Sequence, residues 1–127
     1  MLIINLANNH PLTVLAEDET TVLGVVPAGD SAARIVTTTT PSADGDLVTG
    51  CISLGGIDGL PEPVEGTVCF ISLPTAAAYA AAVATGTAPR RDDLVVAGKN
   101  VVDRTVGPDG RPVTVIRGCV GLSRLAL

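Results

Sequence analysis

Glu65-Gly66-Thr67-Val68-Cys69-Phe70-Ile71-Ser72 is followed at once by Leu73-Pro74-Thr75 and a run of alanines. The first eight residues carry the β-branched and aromatic side chains that suit a strand. Pro74 then fits the first turn of a helix, where an N–H would lack a partner anyway. Seven alanines between about Leu73 and Ala84 give that helix high intrinsic propensity. Thr85-Gly86-Thr87-Ala88-Pro89 ends it, and Arg90-Arg91-Asp92-Asp93 leads into a second strand, Leu94 to Ala97. This stretch predicts a strand–helix–strand unit, which crosses right-handed if both strands share one sheet.

On either side of it the pattern is β. Leu2–Leu6, Leu12–Ala16 and Thr20–Val26 read as a meander of short strands broken by Asn8-Asn9-His10-Pro11 and Glu17-Asp18-Glu19. Ala33–Thr37 is extended by Thr38–Thr40, Pro41–Gly45 is a loop, and Leu47–Leu54 is a strand stopped by Gly55-Gly56. Pro61 and Pro63 keep Ile57–Val64 out of regular structure. Asn100–Val106 and Pro112–Cys119 flank Gly107-Pro108-Asp109-Gly110, a turn with Pro second and Gly fourth that predicts a hairpin. No repeat or linker divides the chain. The expectation is an α+β fold, mostly β, with residues 1–127 as one compact domain of short strands and one Ala-rich helix at about 73–84.

Composition bounds the function. The chain has 127 residues and is 46% hydrophobic, yet Phe70 and Tyr79 are its two aromatic residues. Its core therefore rests on Val, Leu, Ile and Ala. Charged residues make up 17%. So little charge on so apolar a chain favours burial of surface between copies, hence a homo-oligomer. The net charge of -5 is uneven: residues 1–89 hold one basic and nine acidic residues, residues 90–127 seven basic and four acidic. The basic C-terminal third suits a small anion. Duplex nucleic acid is not expected as a partner, because binding it usually needs a net basic face with several phosphate contacts. No run reaches the ~18 apolar residues of a membrane span, and the start lacks the pattern of a signal peptide. Cys51, Cys69 and Cys119 sit in apolar runs without CxxC spacing, which reads as buried free thiols in the cytoplasm. With His10 as the sole histidine, no metal site, cofactor or catalytic set is expected.

Two constellations are candidates for a site. Ser72, Thr75 and Tyr79 share one face of the helix, and no carboxylate occupies its first turn, so its N–H groups stay open to an anion. The plain alternative makes Ser72 an N-cap and Tyr79 a space-filler. Arg90 and Arg91 precede a strand and point to opposite faces, one to clamp an anion and the other to pair with an acid. The alternative is a solvated loop with local ion pairs. In a simple unit these arginines lie at the far end of the helix from Ser72, so a neighbouring subunit has to bring them together. Arg91→Ala is then expected to weaken anion binding and leave the fold intact.

The order Asn5-Leu6 with His10-Pro11, Pro27-Ala28-Gly29 with Ala33-Arg34, Leu60-Pro61-Glu62-Pro63 with Glu65-Gly66-Thr67, Ile71-Ser72, Arg91-Asp92-Asp93-Leu94-Val95 with Gly98, and Gly118-Cys119 with Leu122 resembles small proteins encoded by bacteriophages and actinobacterial genomes. The resemblance spans most of the chain and brings no activity with it. It implies an accessory protein in the host cytoplasm. Size and origin suggest comparison with phage proteins that sequester nucleotide immune messengers. The leading reading is a non-enzymatic, homo-oligomeric binder of a small anionic ligand, a nucleotide signal being the example. Its rival is a structural or host-protein-binding accessory protein acting through an apolar surface. An enzyme ranks third.

Overall fold

The computed structural model describes residues 1–41, 47 and 50–127. The expected loop after Pro41 and the first residues of the strand expected from Leu47 fall largely outside them. Among the described residues the chain runs β1 (Leu2–Asn5), β2 (Leu12–Leu15), β3 (Val22–Val26), β4 (Arg34–Pro41), β5 (Gly50–Asp58), β6 (Thr67–Phe70), α1 (Leu73–Ala84), β7 (Leu94–Val106) and β8 (Pro112–Arg124). The fold is α+β and mostly β, as the sequence pattern predicts.

Six strands form one sheet in the order β1-β6-β7-β8-β2-β3, and β4 and β5 pair as a separate hairpin. β6 lies parallel to both β1 and β7. Both its faces are covered, which explains its unbroken apolar run. Cys69 and Ile71 face α1 in a cluster with Leu6, Ala33, Ala76, Tyr79 and Leu94. Val68 and Phe70 point the other way, into a cluster with Val95, Ile3, Leu12 and Leu122. Small alanines let α1 lie close on this sheet. Its N-cap is Ser72, whose side chain accepts from the Thr75 amide.

The expected meander is corrected at its first step. β1 and β2 follow each other in the chain but are not neighbours: β1 takes β6, and β2 sits between β8 and β3. The turn at Asn8–Pro11 carries the chain across instead, and brings the two outer strands β1 and β3 near each other. Asn5, buried at 4% exposure, ties them. Its Nδ2 donates to the carbonyls of His10 at 3.0 Å and Pro27 at 3.1 Å, and its Oδ1 accepts from the amides of Ala7 and Asn8. Gly29 donates to the Asn8 carbonyl at 3.1 Å. A Cβ there would sit 2.1 Å from the Asn5 carbonyl oxygen, so glycine is required. The sheet curls until its edges nearly meet, which shields them.

Three expected strand ends are also corrected. Gly55-Gly56 does not stop β5, which continues to Asp58 through a bulge opposite Val36. Gly98 does not split the last third. β7 runs unbroken from Leu94 to Val106, because a Cβ at Gly98 would meet the Val120 carbonyl at 2.2 Å and glycine permits that approach of β8. β8 likewise runs beyond Cys119 to Arg124. The expected turn does close this hairpin, with the Gly110 amide bonded to the Gly107 carbonyl at 3.0 Å.

Candidate functional site

The sequence-derived candidates divide between the two ends of α1, which spans about 18 Å for its 12 residues. At the start, the Ser72 hydroxyl donates to Thr75 Oγ1 at 2.8 Å. Thr75 is 4% exposed, and its hydroxyl reaches toward the Ala33 carbonyl at 3.5 Å. Both hydroxyls are therefore engaged in capping and in holding the entry to β4.

At the other end lies a cleft of about 780 Å³. The β5 segment Leu54–Ile57 forms one wall, with Leu60, Glu62 and Pro63 of the proline-stiffened segment continuing it. Tyr79 and Ala82 of α1 and the loop Thr87–Arg91 form the opposite wall. Past Pro63 the cleft is adjoined by a shallower hollow of about 430 Å³, which shares Arg90 and Arg91 and adds Asp92, Arg124 and Leu125. The structure thus brings Tyr79, Arg90 and Arg91 together and leaves Ser72 and Thr75 outside the cleft.

Tyr79 is buried, and its hydroxyl donates to the Pro89 carbonyl at 2.5 Å, which fixes the loop that carries the arginines. Burial pushes this hydroxyl above its ordinary pKa, so it stays protonated as a donor. Arg91 and Asp93 form a two-pronged pair, Nε to Oδ1 and Nη2 to Oδ2, both 2.8 Å. Each side chain is 8% exposed. The hydrogen bond from Arg91 holds the Asp93 carboxyl below the usual range and raises the Arg91 guanidinium in turn. Nη1 is the one Arg91 nitrogen not committed to Asp93. Arg90 donates through Nη1 to the Leu127 carbonyl oxygen at 2.7 Å. Arg124 donates to the Asp92 carbonyl oxygen.

This geometry changes the expectation for Arg91→Ala. Removing Arg91 leaves Asp93 buried without its partner, so the variant is expected to lose stability as well as a ligand contact. Arg90 and Arg124 carry the clean test of anion binding. Arg124, Glu62 and the β5 wall were not singled out by sequence reasoning. The excess of basic residues after Arg90 is the signal that pointed toward Arg124.

The thiols divide as well. Cys69 and Cys119 are buried and Cys51 is exposed, which corrects the reading of three buried thiols. β5 at Cys51 belongs to a hairpin open on both faces, and an apolar run alone does not reveal that. Burial pushes the Cys69 thiol up, with the Asp93 charge adding to it, and burial does the same for Cys119. No helix among the described residues is long and apolar enough to cross a membrane. No family model, curated protein or solved structure matches this chain.

Proposed function

We propose that the protein binds a small anionic ligand in the cleft beside Tyr79 and holds it without turnover, acting as a homo-oligomer. The observation that carries this reading is the convergence of Arg90, Arg91 and Arg124 where the cleft meets the adjoining hollow. Arg91 is locked in place by Asp93, so its free Nη1 is oriented before a ligand arrives. Guanidinium groups at a fixed spacing suit a phosphate or carboxylate. Glu62 also lines the cleft, where it accepts from an amine or hydroxyl and repels a second anion. Leu54, Ile57, Leu60 and Ala82 offer an apolar wall to the body of the ligand.

A molecule with one anionic end, an apolar or flat body and a hydrogen-bond-donating end meets these demands, and a nucleotide is of that kind. Taken with the resemblance to phage-encoded proteins, the proposed role is sequestration of a nucleotide signal of host defence. Incubation with a nucleotide panel, followed by heat denaturation and mass analysis, tests it. Recovery of one compound intact supports binding. Recovery of a converted product means an enzyme, and no capture at all rejects the reading. Arg90→Ala or Arg124→Ala is expected to weaken capture by about 1.5–3 kcal/mol, the scale of a charge-assisted hydrogen bond.

A further inference from the structure

Each arginine around the hollow already serves an acceptor of the chain itself. Arg91 holds Asp93, Arg124 donates to the Asp92 carbonyl oxygen, and Arg90 donates through Nη1 to the Leu127 carbonyl oxygen at 2.7 Å. The three differ in what backs them. Arg91 and Asp93 are both charged and each is 8% exposed, so that pair stays closed. Asp92 lies between them in the chain, which fixes its carbonyl. Leu127 belongs to residues 125–127, which follow β8. Among the described residues they have one main-chain bond, from the Leu125 amide to the Leu94 carbonyl at 3.0 Å. Ala126 is exposed, while Leu125 and Leu127 pack half-buried against the cluster under α1 and line the hollow. We propose that residues 125–127 are a strap that occupies Arg90 and lifts when an anion takes its place. This rests on the anion site of the proposed function and adds a regulation to it.

Donor geometry shows why the strap matters. A guanidinium grips a phosphate or carboxylate with two neighbouring N–H groups. Asp93 uses the Nε–Nη2 fork of Arg91. The strap takes Nη1 of Arg90 and so closes the end-on fork of Nη1 and Nη2. An anionic oxygen is the stronger acceptor for a guanidinium than a carbonyl is, so an anion displaces the strap and not the reverse. Arg90 is exposed, so water competes for the strap's bond, and opening belongs to the cheap local motions of the chain. A site open for a fraction of the time binds with its affinity reduced by that fraction. The grip of Leu125 and Leu127 on the cluster therefore sets the threshold for the ligand. This inverts the ordinary expectation for a lining residue: loosening Leu127 strengthens anion binding.

Two measurements on wild type and Leu127→Ser test the strap, one of them without ligand. Phenylglyoxal labels free guanidinium groups and is read by peptide mass, with Arg111, 85% exposed, as the internal reference. Arg90 is expected to label roughly threefold faster or more in Leu127→Ser, with an unchanged circular dichroism spectrum. NMR titration with inorganic phosphate, followed at the arginine Nε–H signals, is expected to show affinity roughly three- to tenfold higher in Leu127→Ser, the equilibrium factor of one ordinary hydrogen bond. The gain should vanish on an Arg90→Ala background. Equal labelling overturns the strap whatever binds. So does equal or lower phosphate affinity in Leu127→Ser when wild type binds phosphate. Faster labelling with no phosphate bound by either protein shows a strap without an anion site, which rejects the proposed function and not the strap. If Leu127→Ser misfolds, hydrogen exchange of wild type decides. Faster exchange of the Leu125 amide on adding phosphate supports the strap, and unchanged or slower exchange rejects it.

Discussion

Asn5 is one side chain doing the work of a turn. Its amide spends both ends on main-chain groups from three segments, Ala7–Asn8, His10 and Pro27. Asn5→Ala strands these groups at the point where the sheet edges meet. The expected loss is on the order of 3 kcal/mol by urea denaturation, since each buried group left unpaired costs about 1–3 kcal/mol. The Arg91–Asp93 pair makes a different demand. Arg91→Ala is expected to cost about 3–5 kcal/mol because it uncovers a buried charge, whereas Arg91→Met with Asp93→Leu costs much less. The pair also sets an acid limb. Asp93 titrates lower in the folded chain than in the unfolded one, so its contribution is fully present above the unfolded carboxyl value near pH 3.9 and fades as pH falls through the folded value. Urea midpoints at pH 7 and pH 3 should therefore fall more for wild type than for the double variant. Among the cysteines, Cys51 lies on the hairpin face opposite Ile52. It should take up a thiol reagent quickly in the native state while Cys69 and Cys119 stay slow, as read by intact mass. Fast labelling of either buried thiol contradicts the packing of β6 or β8.

At the scale of elements, the helix is the best-announced part of the chain. Ser72, Pro74 and the alanines mark its start and body, and Leu73–Ala84 is where it forms. Ser72→Ala is expected to cost about 1 kcal/mol, the ordinary value of a cap, with no effect on cleft binding. A large loss of ligand affinity in that variant would return the helix start to the site. The strands were legible one by one, while their neighbours were not. Alternation reveals a strand but not its partner, so β1 and β2 read as a meander although one pairs β6 and the other β8. The double glycine at Gly55-Gly56 and the single Gly98 read as breaks. Each in fact lets a strand continue, one through a bulge and one through a close backbone approach. The candidate site was half legible for a related reason. Arg90 and Arg91 stood out as a charged pair before a strand. Arg124 and the β5 wall reach them only through pairing between distant segments, and spacing along the chain does not carry that information.

At the scale of the molecule, the parts fit one account. A curled sheet holds the core, and the helix closes one side of it. The hairpin beside the helix supplies a wall of the cleft. Seven basic residues after position 89 gather positive charge on an otherwise acidic chain, and three of those arginines line the hollow that adjoins the cleft. That placement makes ionic strength a further test. Affinity for an anionic ligand held there should fall as salt rises, because Arg90 and Arg124 are exposed. The most direct measurement is titration calorimetry of the nucleotide that the capture panel recovers, using wild type, Arg90→Ala and Arg124→Ala at matched fold stability. The account predicts binding by wild type and a loss of about 1.5–3 kcal/mol in each variant. Equal affinity in all three proteins would contradict it by removing the arginines from the site.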